Sequence, residues 1–136
     1  MLIDDEEMVI TSVRAYLALE TNYHVQGFTD PEMAAEHMKS NPFDVVVSDY
    51  LMPKINGIEL LRRARETAPE ASRILLTGHS DKQSAVDAIN TVALFQYIEK
   101  PWDNQQLLLA IQGGVERTRL LRDLKDVQKK LLRAFL

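Results

Sequence analysis

Three β-branched residues in succession, Val45-Val46-Val47, lead into Ser48 and Asp49. Branching at Cβ crowds a helix and packs well on a pleated surface, so this run predicts a strand buried on both faces. Such a strand needs helices above and below it, which restricts the chain to α/β architectures with a parallel sheet. The strand ends on a carboxylate, and Pro53 and Gly57 break the extended path before a helical pattern begins. Open α/β sheets carry their chemistry at the carboxyl ends of the strands. Asp49 is therefore the first candidate functional residue.

The flanking pattern supports that architecture. Met1-Leu2-Ile3 looks like the end of an apolar strand that begins short, and Asp4-Asp5-Glu6-Glu7 follow. From Glu6 to Glu20, Met8, Val9, Val13, Tyr16, Leu17 and Leu19 predict one apolar helix face. Tyr23–Phe28 alternates as a strand, and Asp30-Pro31 opens a helix that runs to about Lys39. After the central strand, Asn56 to about Thr67 is amphipathic, with Ile58, Leu60, Leu61 and Ala64 inward. Arg73–Thr77 is a fourth strand and Gly78–Asp81 a loop. Asp81–Asn90 is a weaker helix with Ala85, Val86 and Ile89 inward, Leu94–Ile98 a fifth strand, and Asp103 caps a last helix through Leu107, Leu108, Ile111 and Val115. Five strands alternating with five helices imply right-handed βαβ units, so all strand carboxyl ends share one edge.

The 136 residues suit one domain, and no run of about 18 apolar residues could span a membrane. There is no cysteine, which excludes disulfide and thiol chemistry and fits a reducing cytoplasm. The net charge of −4 hides an asymmetry: residues 1–116 carry −9 and residues 117–136 carry +5. An acidic body argues against a nucleic-acid footprint on it. His24, His37 and His79 lack metal-ligand spacing, so zinc is not expected.

At the common edge lie Asp4 and Asp5, Asp49, Thr77 and Lys100, delivered by four strands. Each alone is unremarkable, because strands end in polar loops; the four together form a chemical set. Three carboxylates in a small space raise one another's pKa unless a cation sits among them, and oxygen donors of this kind suit Mg²⁺. Lys100 adds a compact positive charge, Thr77 a hydroxyl, and Gly78 open space. A metal, a lysine, a hydroxyl and an attacking carboxylate are the parts of a phosphoryl transfer that ends in an aspartyl-phosphate.

The chain resembles the receiver domain of two-component response regulators. The resemblance rests on Asp4-Asp5, on Asp49 followed by Met52-Pro53 and Gly57, on Thr77-Gly78, and on Tyr97-Ile98-Glu99-Lys100-Pro101, and covers about residues 1–115. It implies a flavodoxin-like sheet of order 2-1-3-4-5, a cytoplasmic location, and phosphotransfer from a sensor histidine kinase or phosphotransfer protein onto Asp49 with Mg²⁺ as cofactor. It implies that Asp5 ligates the metal directly and Asp4 through water, that Asp49 is both ligand and nucleophile, and that Leu51 lends its backbone carbonyl. Thr77 and Lys100 would contact the phosphoryl oxygens. Tyr97 would turn inward with Thr77 as a switch, although as a residue it reads equally well as a half-buried strand aromatic. Pro53 and Gly57 would be structural, and Pro101 would follow a cis bond. Leu51 and His79 would flank the water of dephosphorylation; Leu51 cannot orient it. Trp102 has no catalytic role and suits packing.

Beyond the body, Leu120, Leu124, Val127, Leu131 and Ala134 are spaced 4-3-4-3, an a/d seam of about two heptads among basic residues. Residues 116–136 are expected to be a helical extension, either pairing with a second copy on the way to an output domain absent from this chain or folding back on the body. A basic arm for nucleic acid lacks any base-reading motif. Gly113-Gly114 marks either a hinge or close packing. Rival activities are weaker. A dehalogenase-type phosphatase needs a second acid where Leu51 stands, and a flavodoxin needs hydroxyls where Asp4-Asp5-Glu6-Glu7 would repel phosphate. A phosphate-independent interaction domain would need no Mg²⁺.

Overall fold

The computed structural model describes residues 1–136, the side chain of His79 excepted. The elements in chain order are β1 (Leu2–Ile3), α1 (Glu7–Glu20), β2 (Gly27–Phe28), α2 (Pro31–Met38), β3 (Val45–Asp49), α3 (Gly57–Thr67), β4 (Ser72–Thr77), a 3₁₀ turn (His79–Asp81), α4 (Lys82–Thr91), β5 (Gln96–Glu99) and α5 (Asn104–Phe135). The strands form one parallel sheet in the order β2-β1-β3-β4-β5. This is the flavodoxin-like arrangement, with its switch point beside the first and third strands.

Every residue of β3 and β4 is buried. Side chains alternate across the sheet, so Val46 and Leu75 enter one apolar layer with Leu60, Leu61, Ala64, Ala85 and Ala88. Val45, Val47, Ile74 and Leu76 enter the other with Ile10, Val13, Leu17, Leu107 and Ile111. Thus α2, α3 and α4 cover one face and α1 and α5 the other, as two-sided burial of the valine run requires.

Caps define three of the helix starts. Asp30 accepts a hydrogen bond from the Glu32 N–H, Asn56 from Glu59 N–H and Asp103 from Gln105 N–H, each at 2.9 Å.

Several element boundaries and faces differ from the sequence expectation. β2 is only Gly27–Phe28, because its one neighbour, β1, offers two residues for pairing. On α1 the buried stripe is Ile10, Val13 and Leu17, whereas Met8 and Leu19 are over 80 % exposed. The 3-4 spacing of the first set stays on one face, and residues 8 and 19 fall outside it. On α4 the inward residues are Ala85 and Ala88, with Val92 behind them, and not Val86 or Ile89. Two alanines let this helix lie close to the sheet, and its larger residues then turn out to solvent. β5 is shifted to Gln96–Glu99, paired with Ile74–Thr77. The loop after Gly78 is wound into the 3₁₀ turn.

Helix α5 passes through Gly113-Gly114 without a break and runs for 32 residues, roughly 48 Å. Of the two sequence alternatives for these glycines, close packing holds: a Cβ on Gly114 would sit 3.2 Å from Ser72 Cβ and Val45 Cγ2. One turn later the fully buried Thr118 hydroxyl donates to Asp44 O at 2.7 Å and accepts from Ser72 N–H at 3.1 Å. Arg122 pairs with the Asp44 carboxylate and donates to Phe43 O at 2.9 Å. Beyond Lys125, which pairs with Glu70 at 2.7 Å, the helix projects free of the sheet and its residues are exposed.

Candidate functional site

Four strand ends converge. Asp4 follows β1, Asp49 closes β3, Thr77 closes β4, and Lys100 follows β5. Asp4 and Thr77 are fully buried, Asp49 nearly so, and Asp5 is exposed. One carboxylate oxygen each from Asp4, Asp5 and Asp49 lie within 4.8 Å of one another. Among the described residues this is the group that gathers three potential metal ligands. Lys100 Nζ lies 2.8 Å from Asp49 Oδ1 and 3.7 Å from Asp4 Oδ2. Thr77 Oγ1 donates weakly to Ile98 O at 3.5 Å.

The carboxylates are electrostatically strained. Asp4 Oδ1 accepts from Glu6 N–H at 2.9 Å, while Asp4 Oδ2 is buried without a hydrogen-bond partner. Burial, reinforced by the Asp49 and Asp5 charges, pushes the Asp4 pKa up to about 6 against the help of Glu6 N–H and Lys100. Burial also raises Asp49; its bond to Lys100 opposes that shift, and Asp5 adds to it. Burial works against the Lys100 charge, but the Asp49 bond and the charges of Asp49, Asp4 and Glu6 outweigh it, so its pKa lies above the ordinary value. A buried oxygen without a hydrogen bond beside two more carboxylates fits a hard divalent cation, for which oxygen-only donors are the normal ligands.

The backbone after Asp49 is tightly wound. Gly57 N–H donates to Tyr50 O at 2.8 Å, and a Cβ on Gly57 would stand 2.1 Å from Asp49 O. Only glycine allows that approach, and this explains the spacing between Asp49 and Gly57 in structural terms. Leu51, two residues after Asp49, is exposed. Tyr97 is half-buried against the layer of α3 and α4. The Lys100–Pro101 peptide is cis, and Trp102 packs against the opposite layer. The His79 side chain lies outside the described residues. His24 sits by Gln26, and His37 by Phe28 and Asn41, away from the acids. A cavity of about 470 Å³ opens at the other end of the sheet between Val13, Leu17, Tyr23, Val45 and Val115 and takes no part in the site.

Sequence reasoning missed Lys54. Its backbone is left-handed, with φ 74°, and its ammonium lies 3.6 Å from both Asp30 and Glu32. The only available signal was Pro53, which marks a turn without saying which residue bends.

The family model described as "Response regulator receiver domain" matches residues 1–112. The chain belongs to the response regulator receiver family. Among relatives, it is 34 % identical to the phosphoglycerate transport system transcriptional regulatory protein PgtA of Salmonella typhimurium over 88 % of this chain and 28 % of that protein. It is 28 % identical to the hydrogenase transcriptional regulatory protein HoxA of Cupriavidus necator over 96 % of this chain and 27 % of that protein. The chain thus spans about a quarter of these longer regulators. Among solved structures, the signal receiver domain of an HD domain-containing protein from Pseudomonas fluorescens is 32 % identical with a TM-score of 0.82, covering 90 % and 89 % of the two chains. A structure described as adenylate cyclase from Rhodopirellula baltica is 27 % identical with a TM-score of 0.89 over 95 % of each. The receiver family is regulatory, serves two-component systems, and generally binds Mg²⁺ at an acidic pocket; in this chain the Asp4, Asp5 and Asp49 carboxylates cluster at the carboxyl ends of the strands. No helix of the receiver is long and apolar enough to cross a membrane among the described residues.

Proposed function

We propose that this receiver is a phospho-accepting switch written at Asp49. One observation carries the reading: one oxygen from each of three carboxylates lies within 4.8 Å of the others, Asp4 has a buried oxygen lacking a hydrogen bond, and Lys100 Nζ is 2.8 Å from the Asp49 carboxylate. Asp5, Asp49 and the Leu51 carbonyl would hold Mg²⁺, with Asp4 acting through water. Bound there, the ion would supply neutralisation of the negative charge that gathers as the phosphoryl group arrives.

The Asp49 carboxylate oxygen attacks phosphorus in a phosphohistidine of a sensor kinase or phosphotransfer protein. The P–O bond forms as the P–N bond breaks, and the electron pair returns to the imidazole nitrogen. Lys100 leaves its pairing with the carboxylate to meet a phosphoryl oxygen. The Thr77 hydroxyl, whose bond to Ile98 O is long, is free to turn toward another. That turn opens room beside β5 for Tyr97, and the surface of α4, β5 and α5 changes. The receiver's own chemistry is confined to gaining and losing this group. As a response-regulator module it would act in the cytoplasm.

Residues 1–115 form the switching body and 116–136 the helical extension. Leu120, Leu124, Val127 and Leu131 are each more than half exposed along one seam, which supports pairing of two copies on the way to an output domain outside this chain.

The direct test is Mg²⁺-dependent labelling by acetyl phosphate. Wild type should gain one phosphoryl group and Asp49→Asn none; equal labelling of the two would refute the assignment.

A further inference from the structure

The loop from Tyr50 to Asn56 carries the backbone beside Asp49, and its ends are joined by the Gly57 N–H to Tyr50 O bond. Inside it, Ile55 N–H donates to Pro53 O at 2.9 Å, closing a three-residue turn about Lys54 at φ 74°. Turns of this hand are rare and strained, and strain of this kind persists only where surrounding structure holds it.

The holding group is visible. Lys54 Nζ is shared between Asp30 Oδ2 and Glu32 Oε2, at 3.6 Å from each. Asp30 caps α2 with its other oxygen, and Glu32 lies in the first turn, where the helix dipole favours both anions. Helix α2 is in turn fixed to the core by Ala34, Ala35 and Met38, and Ile55 packs against that same layer. In the sheet, β1 lies between β2 and β3. The pairing therefore joins the chain after β2 to the chain after β3, on either side of the strand that leads into Asp4 and Asp5. A lone exposed ion pair contributes little; here one ammonium shared by two carboxylates acts on a turn already bent.

We propose that Lys54 is a positioning residue: its pairing with Asp30 and Glu32 ties the strained turn to the start of α2 and so fixes the Tyr50–Met52 backbone beside Asp49. The inference rests on the reading of Asp49 as a Mg²⁺-dependent acceptor.

The test compares the full chain with Lys54→Met, Glu32→Gln and Lys54→Gly. In Mg²⁺-free protein, amide exchange at Ile55 and Gly57 should speed up about three- to tenfold in Lys54→Met, while exchange at Ile74 and Leu75 in β4 stays as in wild type. Mg²⁺ affinity by calorimetry should fall by a similar factor, and Glu32→Gln should move both quantities the same way by less. Lys54→Gly relieves the backbone strain, so it should melt no lower than wild type yet still bind Mg²⁺ more weakly. Exchange and affinity within twofold of wild type in Lys54→Met would overturn the proposal. Failure of wild type itself to bind Mg²⁺ would instead refute the acceptor reading, and the metal-free exchange rates would still judge the tether.

Discussion

At the scale of the residue, the site is a set of charges that the fold alone does not satisfy. Asp4 is buried with one oxygen lacking a hydrogen bond, and its pKa is pushed up to about 6, above its unfolded value. A raised carboxylate pKa means that the native state holds more protons than the unfolded state between those two values. Its favourable contribution is therefore fully present below the unfolded pKa and is lost as pH rises through about 6. Metal-free protein should melt at a higher temperature at pH 5 than this group alone would allow at pH 7, whereas the gain in melting temperature on adding Mg²⁺ should grow over the same interval. Asp4→Asn should raise the metal-free melting temperature, flatten that pH dependence and weaken Mg²⁺ binding; an unchanged profile would show that Asp4 is not the group responsible. Gly57→Ala meets the Asp49 carbonyl rather than a flexible side chain. Urea unfolding should show a loss of about 1–3 kcal/mol, the usual cost of overpacking. The site acids, Thr77 and Lys100 were legible as strand-end residues. Lys54 was not, because lysine carries no preference for a left-handed backbone and the pairing with Asp30 depends on tertiary placement.

At the scale of the element, strongly periodic or branched segments were legible and marginal ones were not. The valine run sits in the middle of the sheet as its branching demands. Helix α3 buries Leu60, Leu61 and Ala64 as its amphipathic pattern predicts. Helix α4 is different: Ala85 and Ala88 face inward, and hydrophobicity alone favoured Val86 and Ile89. A helix packed through alanines cannot be oriented by counting large apolar residues, since close approach favours the small ones. The same logic explains why α5 tolerates Gly113-Gly114. Their helical cost of roughly 1 kcal/mol each is offset by approach to Phe95, Ser72 and Val45. Next to them, Thr118→Val should destabilise the protein by about 0.5–1.5 kcal/mol, because the buried hydroxyl's bonds with Asp44 O and Ser72 N–H are lost while Ser72 N–H keeps its bond to Asp44 O. Thermal or urea unfolding measures this, and a neutral effect would mean that the network does not anchor the helix.

At the scale of the whole molecule, an acidic receiver body carries a basic helix past its far edge. Asp49 lies at the carboxyl ends of the strands, whereas Asp44 and Ser72, which hold Thr118, lie at the opposite ends of β3 and β4. Helix α5 thus runs from one edge of the sheet to the other and beyond it. Isolated helices of fewer than about 12–15 residues are marginal in water, so the projecting end gains most from a partner. Sedimentation should show concentration-dependent dimers that Leu124→Glu with Leu131→Glu abolishes; a monomer at all concentrations would contradict pairing through the seam. The central claim is chemical, and one measurement bears on it most directly. Intact-mass spectrometry after incubation with acetyl phosphate should show one added phosphoryl group in wild type, dependent on Mg²⁺ and absent in Asp49→Asn. Labelling that persists in Asp49→Asn, or that ignores Mg²⁺ in wild type, would contradict the account.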